Sequence, residues 1–155
     1  MPGLKHSSFC IELLRRVAEE AAADFSGVGF ICYSDLSSLP HLALSVPQDS
    51  IHSLPIFGVN AIGAFLAKAS RASSLLHDGF HLVAAQGFAL THVCRFIAPA
   101  IPPDQSGLQL TAGARHMSAQ LASRAHGIEA AALMGKDGTG VVYECGIKIF
   151  EEQLR

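Results

Sequence analysis

The sequence predicts an α/β domain built on a single mixed β-sheet flanked by helices. Three observations carry this reading. Three segments place apolar residues at three- and four-residue steps. Several short apolar runs are bounded by turn residues. The two kinds of segment interleave along the chain, as they do when helices pack on a sheet.

Residues 9–23 read as an amphipathic helix, with Phe9, Leu13, Leu14, Val17 and Ala21 on one side and Arg15, Arg16, Glu19 and Glu20 on the other. Ser7 or Ser8 is the expected N-cap, and Ser26-Gly27 breaks the segment. Residues 28–33 are short and apolar, which suits a buried strand. Residues 34–55 are rich in Ser, Pro and Leu without a clean period, so loop with one short strand is expected. Residues 60–74 return to helical spacing through Ile62, Phe65, Leu66 and Ala69. Residues 80–84 and 88–97 predict two strands joined near Gln86-Gly87, a hairpin signal. Residues 99–113 hold three prolines and Asp104-Gln105-Ser106-Gly107, hence loop. Residues 114–126 predict a helix, and 130–134 and 141–145 predict strands around a glycine-bearing turn. No repeat and no second-domain boundary is evident, so residues 1–155 read as one domain.

A chain of 155 residues and 16.3 kDa hides about two-thirds of its surface on folding, enough for a core without staples. Half the residues are apolar and 15% are charged, which excludes a disordered chain. Eleven basic residues against thirteen acidic ones argue against nucleic acid as a partner, while leaving room for a local phosphate site. Cys10, Cys32, Cys94 and Cys145 form no Cys-x-x-Cys pair and sit among apolar neighbours. They are expected to be buried free thiols in a reducing compartment. Residues 1–8 lack the apolar run of a signal peptide, and no apolar stretch reaches the length of a membrane span. The expectation is a soluble, cytoplasmic protein with no membrane partner.

Three segments are candidates for chemistry. Leu76-His77-Asp78-Gly79-Phe80 sets an acid and a glycine at the mouth of a strand, where a ligand or metal can approach; Asp-Gly is also a common turn. Gly113-Ala114-Arg115-His116-Met117-Ser118 opens a helix after a proline-rich loop. Free N–H groups and the dipole attract phosphate there, and a basic pair opposes the dipole unless an anion lies between. The bland alternative is a surface Arg and a core-facing His. Gly135-Lys136-Asp137-Gly138-Thr139-Gly140 fails as a P-loop, because position 130 is Ala and Asp137 follows the lysine; a hairpin turn explains it. His77 and His81 would share a face for zinc only on a helix, and Asp78-Gly79 argues for loop then strand. No Ser sits in a Gly-x-Ser-x-Gly elbow.

Taken in order, these segments resemble the diadenylate cyclase (DAC) domain across nearly the whole chain. That family carries Leu-His-Asp-Gly-Ala, a hairpin, a long loop to Gly-Thr-Arg-His-Arg at a helix start, then a strand ending in Ser-Glu-Glu-Thr-Gly. The resemblance implies a DAC-like fold. It also implies a homo-oligomer in which two facing protomers join two ATP molecules into cyclic di-AMP, with Mg²⁺ or Mn²⁺. It makes Asp78 the metal ligand and base, with His77 beside it, and Gly79 the point of nucleotide approach. Gly113, Ala114, Arg115, His116 and Met117 would hold the triphosphate, with Gly135 and Lys136 from the following turn. Asp137 would supply a second metal carboxylate. The chain departs from the family at four places. Phe80 replaces Ala and is expected to crowd the nucleotide, Ala114 lacks the Thr hydroxyl, Met117 lacks an Arg, and Gly135-Lys136 replaces Ser-Glu. Lys136 would return the charge missing at Met117. The alternative reading is a DAC-fold domain without catalysis that binds a nucleotide or a protein partner.

Overall fold

The computed structural model describes residues 5–44 and 54–155. Its elements run α1 (His6–Glu20), β1 (Val28–Tyr33), β2 (His41–Ala43), β3 (Ile56–Phe57), α2 (Val59–Ala69), β4 (Phe80–Ala84), β5 (Ala89–Ile97), α3 (Ala114–Ala122), β6 (Ile128–Met134), β7 (Thr139–Glu144) and β8 (Ile147–Gln153). The eight strands make one mixed sheet in the order β2-β5-β4-β1-β6-β7-β8, with β3 paired to β5. Strands β1 and β4 run parallel, and the other pairs are antiparallel.

The central strands β1 and β6 are apolar on both faces because helices cover both. Phe30 and Cys32 face α1 and α2 in one core with Leu13, Leu14, Ile62 and Leu66. Ile31 alternates to the other face and packs with Leu82, Leu133 and Ala119 of α3. The α/β class and single mixed sheet expected from the sequence are what the chain forms.

Several boundaries differ from the sequence reading. Helix α1 starts at His6 with Lys5 as N-cap and no capping side chain, so Ser7 and Ser8 lie inside its first turn. Helix α2 stops at Ala69, where the Ser70 hydroxyl bonds the Leu66 carbonyl. The next residues are drawn off to the segment before β1: Arg71 pairs with Asp24 at 2.8 Å, and the Ala72 N–H bonds the Asp24 carbonyl. Helix α3 ends at Ala122. The short strand expected within 34–55 is β2, while residues 45–53 of that span lie outside the described residues. Strand β8 was not expected. It is an exposed edge carrying Lys148, Glu151 and Glu152, so burial imposes no clean alternation on its sequence. Cys10, Cys32 and Cys94 are buried free thiols as expected, but Cys145 is exposed because it sits at φ +52° in the tight β7–β8 turn.

The Phe80 ring is buried in the α3-side core. It lies flat against β1 at Gly29, where a Cβ would fall 2.7 Å from the ring. Phe80→Ala should cost roughly 3–5 kcal/mol. Gly29→Ala should destabilise the native chain yet be nearly neutral in the Phe80→Ala background. A double-mutant cycle by urea denaturation reads this coupling directly.

Candidate functional site

Asp78 stands in the turn that feeds β4. Leu76 is buried and anchors the segment, while the Asp78 carboxyl is 72% exposed. Gly79 has φ +76°, and a Cβ there would fall 2.6 Å from the Arg95 carbonyl oxygen of β5. Only glycine lets the two backbones meet this closely, and the contact fixes where Asp78 projects. His77 Nδ1 lies 3.6 Å from the Asp78 carboxylate, on the same exposed turn.

Arg115 comes from α3. The N-cap is Gly113 at φ +96°, with no capping side chain and no acid in the first turn. The Met117 N–H closes the first turn onto the Gly113 carbonyl, leaving the N–H groups before it without helical partners. Ala114 is exposed and Met117 half-buried, so neither fills a pocket as a large buried side chain. The Arg115 guanidinium reaches across to the entry of β1. A Cβ on Gly27 would fall 2.6 Å from its Nη1 and 3.3 Å from the Met134 carbonyl oxygen. Burial lowers the Arg115 pKa from its ordinary value, and the nearby Asp78 charge opposes that shift. Asp78 and Arg115, 37 positions apart, thus share one electrostatic neighbourhood at the end of the sheet where β1 and β4 begin.

Two buried groups underlie this pair. His81 Nδ1 accepts the Cys94 N–H at 3.2 Å, across a register shift between β4 and β5. Cys94 has φ +56°, and its thiol is pushed up by burial and then by Asp78. Burial, with Arg115 adding to it, pushes His81 down to about 4. The sequence did not mark Gly27 or Cys94, and it raised His81 only as a zinc ligand with His77, which Asp78-Gly79 argued against. Gly27 read as a helix breaker, and the pairing of His81 with Cys94 depends on a strand register visible only in the fold.

The remaining expected residues go elsewhere. His116 turns from Arg115 toward the β7–β8 side, with Nδ1 3.4 Å from the Tyr143 hydroxyl. Its pKa is lowered by burial and then by Lys148, against Glu151 and Asp137. Asp137 is held by its own turn: one carboxylate oxygen accepts the Thr139 N–H at 3.0 Å and the other the Thr139 hydroxyl at 3.1 Å. Those bonds hold the Asp137 carboxyl below its ordinary value. Gly135 abuts the Asp137 carboxylate, and Lys136 is exposed. Among the described residues no three His, Cys, Asp or Glu side chains gather as a metal cage.

His81 makes a prediction about acid stability. The unfolded imidazole takes up a proton near 6.5, whereas the buried one resists to about 4, because burial, with the Arg115 charge adding to it, disfavours the protonated ring. Its contribution is intact above pH 6.5 and is lost progressively as pH falls toward 4, by about 3 kcal/mol in all. His81→Asn keeps an acceptor for the Cys94 N–H without the titration. Urea midpoints of this variant should fall less steeply than those of the native chain between pH 6.5 and 4.

No family model matches the chain, and no curated protein matches it. Solved structures do resemble it. One is a hypothetical membrane spanning protein from Bacillus cereus, with a TM-score of 0.59 and 14% identity over 95% of this chain. The chain spans 63% of that protein, less than two-thirds of its length. Another is DacA from Staphylococcus aureus, solved as a double cysteine mutant. It has a TM-score of 0.54 and 13% identity over 94% of this chain and 86% of that one. No helix among the described residues is long and apolar enough to cross a membrane. At these identities the likeness reaches the backbone and no further: the chain shares the fold of DacA.

Proposed function

We propose that this domain binds ATP or a related nucleoside triphosphate between Asp78 and the tip of α3, and that two copies facing each other condense two such molecules into a cyclic dinucleotide. The observation that carries the reading is that Asp78, in the turn before β4, and Arg115, from an uncapped helix N-terminus and lying against Gly27 before β1, stand at the same end of the sheet. The order of motifs and the DAC-like fold support it.

A magnesium or manganese ion fits as a guest of the nucleotide rather than as a resident of a protein cage. Such ions take one or two carboxylates and fill their remaining positions with phosphate and water. Asp78 is exposed and would hold the ion, while Asp137 is committed to Thr139. When bound, the ion would neutralise phosphate charge and make the attacking hydroxyl more acidic.

The chain's own groups then have separate tasks. The Asp78 carboxylate accepts the proton of the 3′-hydroxyl as that oxygen bonds to the α-phosphorus of the facing nucleotide. The bond from the α-phosphorus to the bridging oxygen breaks, and pyrophosphate leaves with the electron pair. Arg115 and the free N–H groups of α3 offset the charge that moves onto the pyrophosphate. Gly27 lets the guanidinium lie at the mouth of β1.

A second reading, binding without turnover, is favoured by the capture of Asp137 in its own turn. One experiment separates the two. Purified protein is incubated with ATP and Mn²⁺, and products are read by mass spectrometry. Cyclic di-AMP that vanishes in Asp78→Asn and falls roughly 10- to 100-fold in Arg115→Ala is expected, since a charged phosphate contact contributes about 1.5–3 kcal/mol. A rise in Tm with ATP but no product would establish the second reading. Neither effect would leave a protein-binding role for the fold.

A further inference from the structure

The tip of α3 carries no capping side chain, so the hydrogen bond that ordinarily fixes a chain's entry into a helix is absent at Gly113. The loop before the helix is held instead from farther down. Gln120, two turns after Gly113, is 4% exposed, and both ends of its amide are engaged. Oε1 accepts the Gln109 N–H at 3.1 Å, and Nε2 donates to the Gly107 and Gly146 carbonyls at 3.0 Å each. Gln109 is bound a second time through its side chain, which accepts the Tyr143 hydroxyl at 3.2 Å. Ser123, one turn further along α3, accepts the Gly146 N–H on its Oγ at 2.9 Å. The loop, α3 and the β7–β8 turn are thus stitched together around one buried amide.

These bonds close a short ring. Gly113 lies four positions after Gln109 and seven before Gln120, and the bond from the Gln109 N–H to Gln120 joins the two ends. The start of α3 is held inside that ring. A helix turns about 100° per residue, so Gln120 lies one turn below His116 and about 140° round from Arg115. The latch grips one face of α3, while Arg115 leaves from another toward Gly27. An N-cap side chain would also fix the entry, but it would take an N–H that a phosphate can use. Gln120 spends its amide on groups outside the helix and takes no N–H at the tip.

We propose that Gln120 is a positioning residue of the nucleotide site: its amide sets the place of Arg115 and leaves the N–H groups at the tip of α3 free for phosphate. The inference rests on the reading of Asp78 and Arg115 as that site.

Gln120→Met keeps the length of the side chain and removes its three amide bonds. A cavity of about 450 Å³ beside the latch, lined in part by Ser106, Arg124 and Cys145, lets water reach the freed groups, so the variant is expected to fold. Amide hydrogen exchange should speed up about tenfold or more at residues 109–116 and keep native rates in β1 and β6. Cyclic di-AMP formation from ATP and Mn²⁺ is then compared in the native chain, Gln120→Met, Arg115→Ala and the double variant. Gln120→Met should lower the rate about tenfold alone and less than about twofold in the Arg115→Ala background, because it acts through that side chain. A general loss of stability would lower both backgrounds alike. If ATP binds without turnover, its affinity is compared in place of the rate. If Gln120→Met does not fold, Gln120→Asn, which withdraws the amide by one methylene, serves in every arm. Native exchange rates at 109–116, or equal losses with and without Arg115, would overturn the proposal. A native chain that binds no ATP would sink the nucleotide reading and the role toward phosphate with it, while the exchange rates still decide whether Gln120 holds the tip.

Discussion

A carbonyl oxygen of β5 pressed against Gly79 sets the geometry on which the site depends. The contact leaves no room for a side chain at that position, so the turn before β4 must take a left-handed backbone and carry Asp78 outward. The same approach sets the local pairing of β4 with β5, where the register shifts and Cys94 adopts its positive φ. His81 then accepts the Cys94 N–H that the distorted ladder would otherwise leave unpaired. The close approach at Gly79, the register shift and the buried imidazole thus fall together on the β4–β5 pair beside Asp78.

Arg115 and His116 show how neighbours in sequence can serve different surfaces. Successive residues of a helix diverge by about 100°, so one side chain reaches Gly27 and the other Tyr143. The Arg-His pair looks like one phosphate clamp in the linear sequence. In three dimensions Arg115 lies against Gly27 at the entry of β1, and His116 lies against Tyr143 of β7.

The long elements were legible because burial imposes period on them. Leu13, Leu14, Ile62 and Leu66 mark helices, and the apolar run of β1 marks a strand covered on both faces. Strand β8 was hidden because solvent accepts charge on either side of it. In the site, Asp78 and Arg115 stood out by residue type and local punctuation. His81, Cys94 and Gly27 did not, because their partners lie on other strands and helices. Gly29 is the clearest case: a glycine in mid-strand reads as weak propensity until the ring of Phe80 is seen to occupy the missing Cβ.

That last pair constrains the order in which such a sequence can change. A bulky ring cannot arrive at position 80 while β1 still bears a side chain opposite it, so glycine must come first or simultaneously. Once the ring is in place, the glycine is locked. A chain that carries Phe80 can therefore regain a side chain at position 29 only after the ring has left.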